Sequence, residues 1–461
     1  MNRFKRVEIS YQDPIQRIQN FDEVCLGYTD KEAIQEAKRC IQCKNPTCVD
    51  MCPVRIDIPG FIKNIAEDNF EEASRTLSKY TNLPAVCGRV CPQEEQCEST
   101  CVLGKKGDSI AIGKLERFAA DFGLEKGLSF DEMVEKNHHK VAVIGSGPAG
   151  ITCAGELAKK GYEVTMFEAL HRPGGVLEYG IPEFRLPKDK IVKREIENLK
   201  NLGVDIKINT VIGRTITIDQ LKQEEYVAFF LGSGAGSPLF LNIPGENLNG
   251  VYSANEYLTR NNLMKAYLKE SDTPIRIGKN VVVIGGGNVA MDSARTARRY
   301  GSNVTVVYRR TKAELPARDE EIENAIEEGI NYNFLSNPIE IIGNEIGEVE
   351  KVKLVRMKLG KPDESGRRRP IPIPKATYEI KADMVIVALG TNPNPLIPDT
   401  TANLEIDSHN KIIVDKNFKT TLEGVFAGGD IVTGSATVIL AMGAGKQAAE
   451  EMDRYVKEKY D

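Results

Sequence analysis

Eight of the ten cysteines in the chain fall into two short groups. The first group reads Cys40-x2-Cys43-x4-Cys48-x3-Cys52-Pro53, and the second reads Cys87-x3-Cys91-Pro92-x4-Cys97-x3-Cys101. Closely spaced cysteines beside a Cys-Pro step are typical of iron–sulfur clusters, because four thiolates must converge on one cube of iron and sulfide. A structural zinc site would normally pair two Cys-x2-Cys steps, and the second group has none. The pattern therefore favours iron–sulfur clusters and the transfer of single electrons.

The length and composition of the chain argue against a disulfide-stapled or membrane protein. At 461 residues it is long enough for about three domains, whereas disulfide frameworks are typical of small secreted proteins. Residues 1–20 lack the apolar core of a signal peptide, and no apolar run approaches the ~18 residues of a membrane span. The net charge of −5 indicates neither nucleic acid nor a membrane as a partner. We therefore expect a cytoplasmic protein.

A glycine motif at residues 145–150 predicts a dinucleotide site of the flavin type. It follows the buried run at residues 141–144 and precedes a helical pattern. Gly145 permits the turn, Gly147 lets the backbone approach a pyrophosphate, and Gly150 lets helix and strand pack closely. An acidic residue after the next strand would accept hydrogen bonds from an adenosine ribose. The predicted contacts are Gly145, Gly147, Pro148, Ala149, Gly150 and Glu168.

A second flavin signature lies near the end of the chain. Residues 424–427 predict a short strand, and Gly428-Gly429-Asp430 predicts a turn before a helix at residues 437–452. This order resembles the second fingerprint of FAD-dependent pyridine-nucleotide reductases, in which the aspartate holds the ribityl chain. Gly429, Asp430 and Thr437 are therefore predicted FAD contacts, and a plain surface turn is the alternative.

A further glycine motif, at residues 285–290, predicts a nicotinamide-nucleotide site with contacts at Gly285, Gly287, Asn288, Val289 and Ala290. At the end of the next strand an NAD site would carry an acidic residue for the 2′-hydroxyl, but this chain has Arg309 and Arg310. Arginine pairs with phosphate through two parallel hydrogen bonds, so the pattern favours NADP(H). Salt bridges from these arginines to Glu314 or Glu320 are the alternative.

These motifs predict an α/β chain in which a helical iron–sulfur domain precedes two Rossmann-like dinucleotide-binding domains. The predicted limits are 1–125 for the helical domain, 126–139 for a polar linker, 140–270 and 383–461 for the FAD-binding domain, and 271–382 for an inserted NADP(H)-binding domain.

Three local patterns refine this division. Thr29 and Glu32 predict a capping box, and further helices are expected from Ile58 and from Leu115. A late strand at residues 384–389 is expected to complete the sheet of the FAD-binding domain. Residues 361–374 combine turn chemistry with a basic run, which predicts a solvated hairpin tip rather than a binding patch.

Taken together, the cysteine groups, the flavin motif and the inserted nicotinamide motif resemble the small (beta) subunit family of NADPH-dependent glutamate synthase. The resemblance covers nearly the whole chain and is strongest in Ala37-Lys38-Arg39-Cys40-Ile41-Gln42-Cys43, in Cys87-Gly88-Arg89-Val90-Cys91-Pro92 and in residues 174–187. In the last of these it implies cofactor contacts at Gly175 and Arg185. The large subunit of the electron-bifurcating NADH-dependent ferredoxin:NADP oxidoreductase and part of dihydropyrimidine dehydrogenase share the architecture.

The resemblance also implies how two [4Fe–4S] clusters would be held, with one ligand crossing between the cysteine groups. One cluster would use Cys40, Cys43, Cys48 and Cys101. The other would use Cys52, Cys91, Cys97 and Glu116, which aligns with a glutamine ligand of dihydropyrimidine dehydrogenase. Cys87 is then left over, and one cluster for each cysteine group is the alternative. Cys25 and Cys153 are expected to be packing residues.

The implied activity is hydride exchange between NADP(H) and FAD, with electrons passing through the two clusters to or from a second redox subunit. No catalytic side chain is predicted, because the cofactors supply the chemistry. The bifurcating ferredoxin:NADP complex is the favoured assembly, with an FAD/[2Fe–2S] NAD-binding partner and with ferredoxin. The alternatives are the NADPH-oxidising small subunit of glutamate synthase, beside its large subunit, and a non-catalytic electron-relay module.

Overall fold

The computed structural model describes residues 3–130, 134–364 and 366–460. It confirms an α/β chain with a helical first part and two parallel sheets. Part of the predicted linker, residues 131–133, lies outside the described residues. Among the residues that are described, no helix combines the length and the apolar character needed to cross a bilayer.

The first part is built from short helices and one two-stranded ribbon. The capping box predicted at Thr29 is confirmed, because the Thr29 hydroxyl accepts from the Glu32 amide and the Glu32 carboxylate accepts from the Thr29 amide. The elements are β1 (Ser10–Tyr11), α1 (Pro14–Arg17), β2 (Cys25–Gly27), α2 (Asp30–Ala37), α3 (Thr47–Asp50), α4 (Ile58–Ala66), α5 (Phe70–Ser78), α6 (Pro84–Val90) and α7 (Ile112–Lys126).

The second part is a five-stranded parallel sheet with helices on both faces. Its strand order is β17-β6-β3-β4-β5, so the late strand predicted at residues 424–427 does join this sheet. The elements are β3 (Lys140–Ile144), α8 (Pro148–Ala158), β4 (Glu163–Phe167), α9 (Val176–Tyr179), α10 (Lys193–Asn201), β5 (Asp205–Lys207), α11 (Ile218–Gln223), β6 (Tyr226–Leu231), β7 (Ser237–Pro238), and finally β16 (Thr391–Asn392), α15 (Leu396–Asp399), β17 (Val425–Ala427), α16 (Asp430–Thr433) and α17 (Val438–Tyr460).

The inserted part forms a second parallel sheet, in the order β11-β10-β9-β15-β8. Its elements are β8 (Val251–Ser253), α12 (Ala254–Asn262), β9 (Asn280–Ile284), α13 (Asn288–Arg299), β10 (Asn303–Tyr308), α14 (Asp319–Glu327), β11 (Asn331–Phe334), β12 (Ser336–Gly343), β13 (Val349–Pro362), β14 (Arg368–Lys381) and β15 (Met384–Val387). The predicted domain limits need correction here, because β8 and β15 pair in this sheet. The inserted unit therefore begins before residue 271 and ends after residue 382.

The assignment of β15 to the first sheet was wrong for a physical reason. All four residues of β15 are buried, so the strand is apolar on both faces, as any central strand of a parallel sheet would be. Met384 and Ile386 pack with α12 and α13 on one side, and Val385 packs against β13 on the other.

A three-stranded antiparallel sheet, in the order β12-β13-β14, projects from the inserted unit. Strands β13 and β14 are each 14 residues long and form one hairpin. The outer strand β14 carries Pro370, Pro372 and Pro374 at alternate positions, and most of its side chains are exposed.

An apolar core and buried ion pairs join the three parts of the chain. One apolar core runs without a break from the helical part into the first unit and includes Phe61, Leu115, Ile151 and Met452. The inserted unit is joined to the rest of the chain through a buried ionic cluster of three arginines around the Glu328 carboxylate.

Candidate active site

The predicted flavin motif forms a cradle at the start of α8. Gly145 has φ +96°, which favours glycine, and a Cβ at Gly150 would lie 1.9 Å from the Gly145 carbonyl oxygen. No atom stands within 4 Å of the position that a Gly147 Cβ would take. The turn is therefore tightly closed at Gly145 and Gly150 and open at Gly147, where a pyrophosphate would approach the start of the helix that Pro148 and Ala149 begin.

Glu168 lies at the edge of this cradle and is buried. Its carboxylate accepts hydrogen bonds from the Ser146 amide at 3.0 Å and the Leu170 amide at 2.7 Å, and also from the Ser146 hydroxyl. Ser146 in turn accepts from the Gly174 amide at 2.9 Å. Sequence reasoning missed Ser146, which occupies a variable position of the motif and orients the acidic side chain.

The other predicted FAD residues converge on the same helix start. A Cβ at Gly175 would lie 2.8 Å from the Gly147 Cα, and one at Gly429 would lie 2.9 Å from the Ala149 Cβ. Burial raises the pKa of Asp430, which follows Gly429, to about 6. Thr437 accepts from the Leu440 amide at 3.3 Å and so begins α17. Three distant segments thus meet around one cradle.

The long helix α17 crosses α8 directly behind this cradle. A Cβ at Gly445 would lie 2.2 Å from the Ala149 carbonyl oxygen, so only glycine permits the approach. On the opposite side, a Cβ at Gly443 would lie 3.0 Å from the Pro53 Cβ. The same turn of α17 therefore contacts the flavin cradle and the Cys-Pro step of the first cysteine group.

The predicted nicotinamide motif has the same construction. Gly285 has φ +143°, and a Cβ there would lie 2.3 Å from the Ala388 carbonyl oxygen. A Cβ at Gly287 would meet no atom closer than Pro316 Cγ, at 4.0 Å. Of the helix residues that follow, Val289 is exposed and Ala290 is buried, while Asn288 accepts from the Arg318 amide at 3.0 Å.

The two arginines at the end of β10 have different surroundings. Arg309 is exposed, whereas Arg310 is buried and pairs with Asp363 at 2.7 Å. The predicted alternative partners, Glu314 and Glu320, are not those of Arg310, because Glu314 pairs with Arg368 and Glu320 with Lys114 and Arg318. The 2′-phosphate set inferred from the sequence is therefore divided between an exposed and a buried guanidinium.

Arg185 was predicted to contact a cofactor, but its guanidinium forms ion pairs between the two dinucleotide-binding units. The guanidinium donates to both carboxylate oxygens of Asp292, at 2.8 and 2.7 Å, and lies 3.1 Å from Glu321. The neighbouring Phe184 ring packs under the guanidinium groups of Arg295 and Arg299. Arg185 therefore connects the loop of the first unit to α13 of the second.

Four cysteines from both groups border one cavity in the helical part, namely Cys40, Cys43, Cys48 and Cys101. The rest of its lining is mostly apolar and includes Ile58 and Ile62. Burial raises the pKa of the Cys40 thiol, and the nearby thiols of Cys101 and Cys43 raise it further. Across the described ranges no three Cys, His, Asp or Glu side chains are close enough to share one metal ion. A four-iron cube binds one thiolate at each iron and so holds its ligands further apart.

A second set, deeper in the protein, contains Cys52, Cys91, Cys97 and Glu116, all of them buried. Burial raises the pKa of the Cys52 thiol, and the charges of Glu116 and Cys91 raise it further. Burial likewise raises the pKa of Glu116 to about 8, with a contribution from Glu195. Within the described residues, Glu116 Oε1 is a buried oxygen without a hydrogen-bond partner. Three soft thiols and an unpartnered carboxylate oxygen fit the donor set of a cluster.

Cys87 lies beside this second set and is fully buried. Its sulfur is 3.5 Å from the Met442 sulfur on α17, and the Cys91 thiol contributes to raising its pKa. Cys87 thus occupies the boundary between the second cysteine set and the helix behind the flavin cradle.

Two protein-family models match the chain. The family described as dihydropyrimidine dehydrogenase domain II, 4Fe-4S cluster, matches residues 17–128. The pyridine nucleotide-disulphide oxidoreductase family matches residues 139–448. Their junction coincides with the passage from the helical part to the first parallel sheet.

Individual proteins are similar to the chain over much of its length. The glutamate synthase [NADPH] small chain of Halomonas elongata is 37% identical, over 99% of this chain and 98% of that protein. The beta subunit of the NADP(+)-dependent formate dehydrogenase of Moorella thermoacetica is 38% identical, over 89% of this chain and 60% of that protein. Among solved structures, FprA of Mycobacterium tuberculosis in complex with NADPH has a TM-score of 0.58 at 22% identity, over 69% of this chain and 85% of that one, which shows a shared fold. The chain belongs to the glutamate synthase small-chain family of oxidoreductases, in which a 4Fe-4S domain precedes a pyridine nucleotide-disulphide oxidoreductase unit.

Proposed function

We propose that this chain exchanges a hydride between NADP(H) and FAD and passes electrons, one at a time, through two [4Fe–4S] clusters to or from a second redox subunit. The bound flavin and clusters would supply the redox chemistry. The observation that carries the proposal is the position of α17. Its residues Met442 to Gly445 contact the flavin cradle on one side and the Cys52-Pro53 step and Cys87 on the other.

The protein's own contribution is to fix the order of these sites. Lys446, one residue beyond Gly445, donates to the carbonyl oxygens of Val54 and Tyr80 at 3.3 and 2.8 Å. The glutamate side chain of Glu195, on α10, accepts from the Val86 amide at 3.3 Å and also caps the Ala85 amide. These hydrogen bonds join the helical part to the first unit. They would thereby fix the distance between the flavin cradle and the second cysteine set.

Exposure differs between the two cysteine sets in a way that supports an outward electron route. Cys52, Cys91 and Cys97 are buried, whereas Cys40, Cys43, Cys48 and Cys101 are partly exposed. Lys38, Lys44, Lys105 and Lys106 lie beside the partly exposed cysteines in the chain and are themselves exposed. Exposed lysines near the outer set suit an acidic electron carrier, such as a ferredoxin, because complementary charge accelerates association.

Two assemblies remain candidates for the partner, each favoured by its own observation. The buried carboxylate of Glu116, whose Oε1 has no hydrogen-bond partner among the described residues, favours the bifurcating ferredoxin:NADP oxidoreductase, whose other subunit would carry FAD and [2Fe–2S]. The match over nearly the full length of a glutamate synthase small chain favours delivery of electrons to the large subunit of that enzyme. In both cases the chain is the NADP(H)-binding subunit.

Anaerobic purification of the native complex tests the proposal. We expect iron, acid-labile sulfide and FAD in the preparation, and NADPH should bleach the flavin absorbance. The companion chain, together with NADPH oxidation by ferredoxin plus NAD or by glutamine plus 2-oxoglutarate, then separates the two assemblies. A colourless protein would refute the redox assignment, and a coloured protein that NADPH leaves unchanged would support the electron-relay alternative.

A further inference from the structure

The tip of the β13–β14 hairpin lies against the end of β10, where the predicted 2′-phosphate site is. Arg310 Nε donates to the Arg368 carbonyl oxygen at 2.8 Å, and Arg310 Nη2 donates to Asp363 at 2.7 Å. Asp363 and Arg368 are the residues on either side of the hairpin turn. Residue 310 therefore uses its guanidinium to hold a segment that is more than fifty residues away in sequence.

Asp363 connects the hairpin turn to Arg310. Its Oδ1 accepts from the Arg367 amide at 3.2 Å, and its amide donates to the Arg367 carbonyl oxygen at 2.8 Å. The other carboxylate oxygen receives the Arg310 guanidinium. One side chain thus closes the hairpin turn and fastens it to the end of β10.

The result is that Arg368 reaches the loop that follows Arg309. Arg368 Nε donates to Glu314 Oε1 at 3.3 Å, and the Arg368 side chain is 55% exposed. Glu314 belongs to the capping box at Thr311, which begins two residues after Arg309. A guanidinium has five N–H donors, so Arg368 can hold Glu314 and still present donors at the loop that begins two residues after Arg309.

We propose that the hairpin tip completes the 2′-phosphate site of NADP(H), with Arg309 and Arg368 as the direct contacts. Arg310 and Asp363 are positioning residues that place Arg368. This inference rests on the proposed function, and it changes which side chains distinguish NADP(H) from NAD(H). Residues 361–374 were expected to be a solvated tip, and the proposal instead gives them a part in binding.

The buried state of Arg310 is the reason to separate the two roles. Its Nε and Nη2 already have partners in the hairpin, and its side chain is only 5% exposed. A phosphate bound there would have to compete with the Asp363 carboxylate, which carries the same sign of charge. Arg368 also pairs with a carboxylate, Glu314, at 3.3 Å, but its side chain is 55% exposed. Arg309 is exposed as well, so each guanidinium can offer a phosphate the paired donors that its recognition uses.

Calorimetric titration of the FAD- and iron-containing full chain with 2′,5′-ADP and with 5′-AMP tests the inference. The two probes differ in the 2′-phosphate, so their affinity ratio isolates that contact. Arg368→Gln should weaken 2′,5′-ADP on the order of ten- to a hundredfold and leave 5′-AMP unchanged. Arg369→Gln is the matched control, because Arg369 is exposed on the same strand and points to the opposite face. It should leave both affinities unchanged.

Asp363→Asn distinguishes the positioning role from direct binding by the sign of its effect. If Arg310 only places the hairpin, losing the carboxylate should weaken 2′,5′-ADP as Arg368→Gln does, and 5′-AMP binding should report an intact fold. If Arg310 binds the phosphate directly, removing its competing anion should tighten 2′,5′-ADP, which would overturn the proposal. Equal effects of the Arg368 and Arg369 variants would also overturn it. Equal affinity of the unmodified chain for both probes would instead refute the NADP(H) assignment itself.

Discussion

Replacing Glu328 by glutamine should destabilise the buried ionic cluster that joins α14 to α13 by about 3 kcal/mol. Glu328 follows α14, and its fully buried carboxylate accepts from Arg17 at 2.9 Å, Arg295 at 2.7 Å and Arg299 at 2.8 Å. Arg17 belongs to the amino-terminal helix α1, whereas the other two arginines lie on α13. A neutral amide would leave three buried guanidinium groups short of one negative charge.

The magnitude follows from the ionisation of Glu328. Burial disfavours the ionised form of Glu328 and by itself would raise its pKa. The charges and hydrogen bonds of Arg295 and Arg299 have the larger effect, and they lower the pKa from 4.5 to about 2. Each tenfold change in an ionisation constant is worth about 1.4 kcal/mol, so the lowered pKa corresponds to about 3 kcal/mol. Because the pKa is lowered in the fold, this stabilisation is complete above about pH 4.5 and is lost as the pH falls towards 2. Burial lowers the pKa of Arg299 to about 10, so its guanidinium remains charged at neutral pH.

Hydrogen exchange of α14 peptides, followed by mass spectrometry, measures this opening without assuming that a multidomain chain unfolds in one step. Glu328→Gln should raise exchange roughly a hundredfold at neutral pH, and the difference should shrink below about pH 4.5. Glu327→Gln is the matched control, since its carboxylate also pairs with Arg17 but is 55% exposed. We expect it to cost less than about 1 kcal/mol. Equal exchange in the two variants would refute the role given to the buried cluster.

Three further changes probe the cofactor sites and the domain contact. Cys87→Ala should leave iron and sulfide content unchanged, whereas Cys91→Ala should lower both, because the Cys87 thiol faces α17. Gly445→Ala should reduce bound FAD and lower the melting temperature, since the new Cβ would lie 2.2 Å from the Ala149 carbonyl oxygen and such overpacking costs about 1–3 kcal/mol. Burial raises the pKa of Glu195 to about 8, so the native chain should lose stability from about pH 4.5 to pH 8, and Glu195→Gln should flatten this dependence in melting temperatures.

Each of these expectations has a clear contrary result. Loss of iron in Cys87→Ala would make that thiol a ligand and favour one cluster for each cysteine group. Full FAD occupancy in Gly445→Ala would show that α8 and α17 can separate without disturbing the cradle. Parallel pH profiles for the native chain and the Glu195 variant would mean that this carboxyl is ionised in the fold.

The short-range features of this chain were predictable because their causes are local. Thr29 and Glu32 cap a helix across three residues, and the tight turn at Gly145 needs a glycine wherever it occurs. The strand β15 was placed in the wrong sheet because its uniformly apolar sequence suits the centre of either one. Nothing in such a strand specifies its neighbours, which are chosen by the connections that precede and follow it.

The charged residues show the same limit over longer distances. Arg185 and Arg310 stand in motifs that predict cofactor contacts, yet their partners are Asp292 and Asp363. These acids are 107 and 53 residues away in sequence, and no periodicity in the sequence connects them. A motif identifies a charge at a site, but only the fold shows whether another side chain already neutralises it.

The prolines of the outer hairpin strand affect how this chain meets copies of itself. An exposed edge strand normally offers a row of backbone N–H groups on which another extended segment can assemble. Along β14 the donors are missing at Pro370, Pro372 and Pro374. Because alternate residues of an edge strand direct their backbone groups outward, the losses at Pro370 and Pro372 fall on one row. A long hairpin with a mostly exposed outer strand can therefore resist nucleating intermolecular sheets.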